Sequence, residues 1–295
     1  MGWISFARSA GAARALSTSS GRRVTSSPSA IGDRVAGARA IKLRDGLVVV
    51  RNALSLDEQL RLAECATELG LAQSGGFFDA DGMPNSRPYR GRVFSSIRDW
   101  PDVASEWCNR ALDEGIAVEP TLPPMDATHV LLLAYMSGEG VGWHRDIYEN
   151  DGAEDKPIVT FNLGNTCEFV FKDDHTTPKT YVELASGDIL MFGGKCRYAM
   201  HKVSRVVERT CPEKLMPTLT RILERRKQTG GPDDADIGDS VRLSLTFRDA
   251  PSVVGRESEF ASFKVNEHFD KDANFRWKPD KNSQVPAQPG QDGKR

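Results

Sequence analysis

The 295-residue sequence predicts an all-β core of jelly-roll type, a double-stranded β-helix, carried with flanking helices in an α+β chain. Three observations predict it. Short apolar or alternating runs recur between turn signals at 129–136, 157–163, 168–171, 181–184, 188–192, 199–203 and 241–247. Most of these runs have no helical crossover between them, which argues against a parallel α/β sheet. Helical periodicity is confined to the region before residue 126 and to one stretch beyond 205.

Residues 1–32 contain four arginines and eight serines but no acid, the composition of a mitochondrial or plastid transit peptide. A disordered extension is the competing reading, with cytoplasmic or nuclear residence as its counterpart. Residues 40–125 read as an N-terminal helical region. Within it, 46–50 is a short buried strand, and Ser55 with Glu58 forms a capping box that opens a helix with Leu56, Leu60, Ala63 and Leu69 on one face. Gly70 is expected to close that helix. Segment 71–100 is loop-rich, and a second helix is expected at about 102–115 around Trp107.

Residues 126–250 form the predicted core. A mobile insertion is expected at 205–240, with a helix at 219–228 followed by Gly230-Gly231-Pro232. The polar extension 251–295 is expected to be disordered from about residue 278.

Composition narrows the function classes. Lys and Arg number 39 against 41 Asp and Glu, a net charge of −2, so nucleic-acid binding by bulk charge is excluded and any such contact must be local. No apolar run approaches the roughly 18 residues of a membrane span. Five cysteines without a Cys-x-x-Cys pair argue against a zinc ribbon or a secreted disulfide framework. Nothing identifies a protein partner, and a monomer is expected.

His144-Arg145-Asp146 places an imidazole and a carboxylate two positions apart, on one face of an extended chain. Taken alone the pair equally suits a surface salt link. His201, on a later strand, completes two histidines and one carboxylate, the facial set that holds non-haem Fe(II). His175 and His268 compete for that place from polar segments. Arg242 and Arg248 share one face of the run Arg242-Leu243-Ser244-Leu245-Thr246-Phe247-Arg248. Leaning inward they suit a small dicarboxylate such as 2-oxoglutarate, because a guanidinium fork binds carboxylates bidentately. The alternative is an edge strand with both arginines in solvent.

Over approximately residues 46–250 the sequence resembles the AlkB-like family of Fe(II)- and 2-oxoglutarate-dependent dioxygenases. The motifs stand in family order: His144-x-Asp146, then 157–164 (PIVTFNLG), then 187–194 (GDILMFGG) leading to His201, then 242–248 ending in Leu-Thr-Phe-Arg. The resemblance implies that His144, Asp146 and His201 are the iron ligands, that Arg242 binds the distal carboxylate of 2-oxoglutarate, and that Arg248 binds the end nearer the metal. Tyr135 matches the tyrosine that hydrogen-bonds the cosubstrate. Leu133 and Ser244 stand where the family often has asparagine, which places Ser244 beside the cosubstrate. Tyr148 stands where bacterial repair members carry an acid. The long stretch between His201 and Arg242 resembles a eukaryotic branch related to the first mammalian homologue.

The implied chemistry uses Fe(II), 2-oxoglutarate and O2. Oxidation of an N-methyl C–H bond on a nucleic acid base would yield formaldehyde, succinate and CO2. Methylated nucleic acid, as a single strand or a flipped base, is the partner so implied. Residues 86–98 include Arg87, Tyr89, Arg90, Arg92, Phe94 and Arg98 with no acid, a basic and aromatic stretch suited to such a strand or to an ordinary packed loop. Phe77 and Phe78 read as core or hinge anchors, and Arg225-Arg226-Lys227 as a solvated helix face. Two other functions stay open at this point: the same oxygenase chemistry on a protein or small molecule, and a catalytically silent jelly roll that binds RNA or another partner.

Overall fold

The computed structural model describes residues 39–86, 90–146, 156–173, 178–228 and 241–251. The expected leader 1–32, His175, His268, Arg87, Tyr89, Tyr148 and the tail beyond 251 lie outside the described residues. Among the described residues eleven strands run in the order β1 (Arg39–Arg44), β2 (Leu47–Arg51), β3 (Arg90–Ser96), β4 (His129–Tyr135), β5 (Glu139–His144), β6 (Ile158–Gly164), β7 (Thr166–Lys172), β8 (Thr180–Leu184), β9 (Ile189–Phe192), β10 (Met200–Val207) and β11 (Arg242–Arg248). Helices α1 (Leu56–Leu71) and α2 (Val103–Val118) precede β3 and β4 respectively, and α3 (Met216–Lys227) precedes β11.

All strand pairs are antiparallel, in a seven-stranded sheet β1-β2-β9-β6-β11-β4-β3 and a four-stranded sheet β5-β10-β7-β8. This is the jelly-roll arrangement that the recurrent short strands predict. Alternation along each strand of the large sheet divides its residues between two cores. Val130, Leu132, Phe161, Leu243, Leu245 and Phe247 face the helices. Tyr135, Ile158, Leu190 and Phe192 face the smaller sheet, together with Phe169, Phe171 and Val203 from that sheet.

Several elements depart from the sequence expectations. β3 lies inside the segment read as loop-rich, and β1, β2 and β3 all belong to the large sheet, so no structural boundary falls at residue 125. The capping box of α1 is present: the Ser55 hydroxyl accepts from the Glu58 N–H at 3.3 Å, and the Glu58 carboxylate accepts from the Ser55 N–H at 2.7 Å. The buried stripe of α1 is Gln59, Leu62, Ala63, Ala66, Thr67 and Gly70, whereas Leu56 is exposed. The helix continues through Gly70 to Leu71. Gly70 is required for packing, since a Cβ there would lie 1.9 Å from the Phe77 ring. Phe77 is fully buried and meets Gly91 of β3 on another side, where a Cβ would lie 2.3 Å away.

The 205–240 stretch differs in its first half from a mobile insertion. β10 runs on to Val207, and α3 packs against α1 with Leu219, Ile222 and Leu223 buried. Each such side chain contributes roughly 1.5–3 kcal/mol, enough together to hold a three-turn helix in place. Arg226 falls on the same stripe at helical spacing and is buried with it, so only part of the basic cluster 225–227 faces solvent.

Candidate metal and cosubstrate site

β5 and β10 are neighbours in the small sheet, with His144 directly opposite His201. That register brings the two imidazoles together, their ring centroids 4.2 Å apart. Asp146 follows two residues beyond His144. His144 Nε2 lies 3.8 Å from Asp146 Oδ1, and His201 Nε2 lies 3.8 Å from Asp146 Oδ2. These separations exceed hydrogen-bond length, so the three donor groups converge without spending their lone pairs on one another. One ligand atom from each lies within 4.8 Å of the others.

The imidazoles are held in the tautomer a cation requires. His144 Nδ1 donates to the Gly142 carbonyl at 2.8 Å and His201 Nδ1 to the Ala199 carbonyl at 3.1 Å, so in the neutral ring Nε2 is the free lone pair, and both Nε2 atoms face Asp146. Phe169 stacks on the His201 ring at 5.3 Å and Phe192 meets it at 5.1 Å, so packing fixes the ring's orientation. Burial, with His144 close by, pushes His201 down to about 4, so it is neutral at physiological pH.

Burial alone would raise the Asp146 carboxyl. Arg248, His201, His144 and Arg197 outweigh it and hold the group well below the usual carboxylate range. Arg248 Nη2 donates to Asp146 Oδ2 at 3.0 Å, and Arg197 Nη1 donates to the Asp146 backbone carbonyl at 2.6 Å. Arg145, between the two ligating positions, points away and bonds the carbonyls of Tyr198 and Asp173.

Arg242 and Arg248 lie on a central strand between β4 and β6, and both are buried, which removes the edge-strand alternative. In register, Arg242 sits beside Tyr135 and Ser244 beside Leu133 and Asn162. The Arg242 guanidinium carbon lies 4.8 Å over the Tyr135 ring, and its Nη2 donates to Asn162 Oδ1 at 2.6 Å. Its Nε and Nη1 are buried with no hydrogen-bond partner among the described residues. Two unsatisfied guanidinium donors inside a core are costly unless an acceptor completes them, and a carboxylate is the acceptor their fork fits. Burial raises the Tyr135 phenol above its ordinary value against the opposing charges of Arg242 and Arg90, which keeps it a neutral donor.

On β3 the expected substrate residues divide. Arg90 is buried beside Tyr135, inside the site. Arg92 and Phe94 follow on the same face, and Phe94 stacks on His129 at 5.1 Å, so one ring face is already covered. Asn162 and Arg197 are contacts the sequence reading did not single out. A buried polar residue inside an apolar strand was the available signal for Asn162. Nothing in the sequence marks Arg197.

The profile of the 2OG-Fe(II) oxygenase superfamily matches residues 46–248, more than half of the chain. The chain belongs to this superfamily. Membership carries the cofactor set Fe(II), 2-oxoglutarate and O2, which the donor chemistry of the triad and the open Arg242 fork fit. Among known proteins, this oxygenase is similar to the DNA N(6)-methyladenine demethylase ALKBH1C of Arabidopsis thaliana, 24% identical over 210 residues, covering 59% of this chain and 45% of that one. It is also similar to the DNA N(6)-methyladenine demethylase ALKBH1D of the same plant, 24% identical over 238 residues, covering 70% of this chain and 50% of the relative. The oxygenase thus spans about half the length of the curated relatives it matches. The solved structure of OsALKBH1 superposes with a TM-score of 0.56 at 26% identity, covering 72% of this chain and all of that one.

Proposed function

We propose that this AlkB-like oxygenase oxidatively demethylates N-methylated bases of nucleic acid, releasing formaldehyde, succinate and CO2. The observation that carries the reading is the convergence of His144, Asp146 and His201 in a site that also holds the buried Arg242 guanidinium, whose Nε and Nη1 have no acceptor among the described residues. The substrate class rests on the relatives, whose names assign them DNA N(6)-methyladenine.

In this reading His144 Nε2, His201 Nε2 and one Asp146 oxygen hold the iron. Arg242 takes the distal carboxylate of 2-oxoglutarate, with Tyr135 as a second donor and Ser244 beside it. Arg248 steadies Asp146 from behind and lies nearest the other end of the cosubstrate. The two cofactors and O2 supply oxidative decarboxylation to succinate and CO2 and the oxidising power to hydroxylate a C–H bond. A hydroxymethyl group on nitrogen then collapses to formaldehyde and the bare amine without a protein nucleophile. The chain's own part is positioning: a buried His201 imidazole that is neutral at physiological pH, a carboxylate kept ionised, and apolar packing by Phe169, Phe192 and Tyr135. Arg92 and Phe94 on β3, with Arg87, Tyr89 and Tyr148, are the proposed substrate contacts; Arg90 is assigned with them to that wall although it lies deeper.

The test is turnover of the purified protein with Fe(II), 2-oxoglutarate and DNA or RNA strands carrying N-methylated bases, reading formaldehyde and succinate together. Equal release of both with loss of the methyl group is expected. Succinate with no methyl loss from any strand would move the substrate to a protein or small molecule, and no succinate at all would leave a binding protein.

A further inference from the structure

Trp143 precedes His144 and Lys202 follows His201, so two residues next to the candidate ligands turn onto the opposite, outer face of the small sheet. There the ammonium groups of Lys172, Lys202 and Lys179 stand 4.6, 5.4 and 6.0 Å from the centroid of the Trp143 ring. Lys172 is buried, whereas Lys179 is exposed and Lys202 half-buried, so the latter two present their charge beside the ring. Among the described residues neither Lys179 nor Lys202 has an ion pair. Tyr181, 59% exposed, lies on the same face across Val170 from Lys202. Among the described side chains, the acids Glu168 and Glu183 of this face are paired in register at its other end, away from Lys179 and Lys202.

We propose that this outer face docks the backbone of a single nucleic-acid strand beside the base undergoing reaction, its phosphates on Lys179 and Lys202 and a neighbouring base on Tyr181. The inference rests on the substrate class proposed above and adds the surface that would hold the strand. A lysine cluster serves phosphates as point charges without sequence preference, and an exposed tyrosine face accepts any base. It also supplies the local contact that a chain of net charge −2 requires. The site and the face share one end of the sheet, so a strand crossing the rim can place a base inward while its flank rests outside.

The test is fluorescence anisotropy of a labelled oligothymidylate with the full-length protein, titrated at several salt concentrations, with polyglutamate as competitor. Lys179→Gln/Lys202→Gln is expected to weaken binding about tenfold and to reduce the slope of log affinity against log salt by about 1.4, the share of two phosphate contacts on a single strand. Lys179→Arg/Lys202→Arg, which keeps both charges, is expected to bind like the wild type. Affinity and slope unchanged in the glutamine pair would overturn the docking face and leave the proposed substrate class standing, as would equal loss in both pairs. A wild type that ignores the oligonucleotide but binds polyglutamate would overturn both, in favour of an acidic protein partner.

Discussion

Arg248 donates from Nη2 to Oδ2 of Asp146 at 3.0 Å, so the strand that carries one end of the proposed cosubstrate site also fixes the only carboxylate of the candidate metal triad. Groups that orient metal ligands from behind typically change metal affinity by about 10- to 100-fold when removed. Arg248→Ala is therefore expected to weaken Fe(II) binding by about that range and to abolish measurable succinate release. Titration of the protein with Fe(II) under anaerobic conditions checks the first, and a turnover assay the second.

Asn162 holds the Arg242 guanidinium through a 2.6 Å bond, in a site where the resembling family's asparagine positions are occupied by Leu133 and Ser244. Losing a hydrogen bond to a charged group costs about 1.5–3 kcal/mol. Asn162→Ala is expected to raise the KM for 2-oxoglutarate roughly tenfold while kcat at saturating cosubstrate falls much less. Steady-state kinetics with 2-oxoglutarate as the varied reactant separates the two.

Removal of divalent metal by a chelator is expected to abolish succinate release, and Fe(II) is expected to restore it while Zn(II) does not, because the chemistry needs a redox-active ion. His144→Ala and His201→Ala are each expected to lose this rescue while retaining the circular-dichroism spectrum of the parent. Recovery of activity by either variant at ordinary iron concentrations would contradict the proposed triad.

Gly70→Ala tests the packing of the helix layer. In an exposed helix interior this change stabilises by about 0.5–1 kcal/mol. Here the new methyl would enter the Phe77 ring, and overpacking costs about 1–3 kcal/mol. A lowered melting temperature is expected, by a few degrees.

The parts of the fold visible in the sequence were those whose apolar residues follow one period. β4 carries an apolar run, β6 is mostly apolar, β11 alternates apolar with polar residues, and the Ser55 to Glu58 box marks the start of α1 at the correct residue. β3 escaped because its helix-facing positions are Gly91, Val93 and Ser95, and its other face carries Arg90, Arg92 and Phe94. Only Val93 signals burial on the core side, so neither a period of two nor an apolar run emerges. Leu56 misled the reading of α1 because it continues the apolar pattern past the point where the sheet can cover it.

At the site, the two-residue spacing of His144 and Asp146 was legible, since it needs only an extended chain. The pairing of His201 with His144 depends on strand register, which is a tertiary property. Asn162 was hidden for a related reason: its role comes from lying one strand away from Ser244, and nothing local distinguishes it from a strand-interior polar residue satisfied by backbone.

The alternation along β11 makes this site sensitive to reading phase. Excising one residue between Arg242 and Arg248 would rotate part of the segment by half a pleat, turning greasy side chains toward the iron pocket and sending a guanidinium beneath the helices. The catalytic and architectural demands on that ribbon are therefore inseparable, and length changes within it should be far less tolerable than any conservative swap of its individual members.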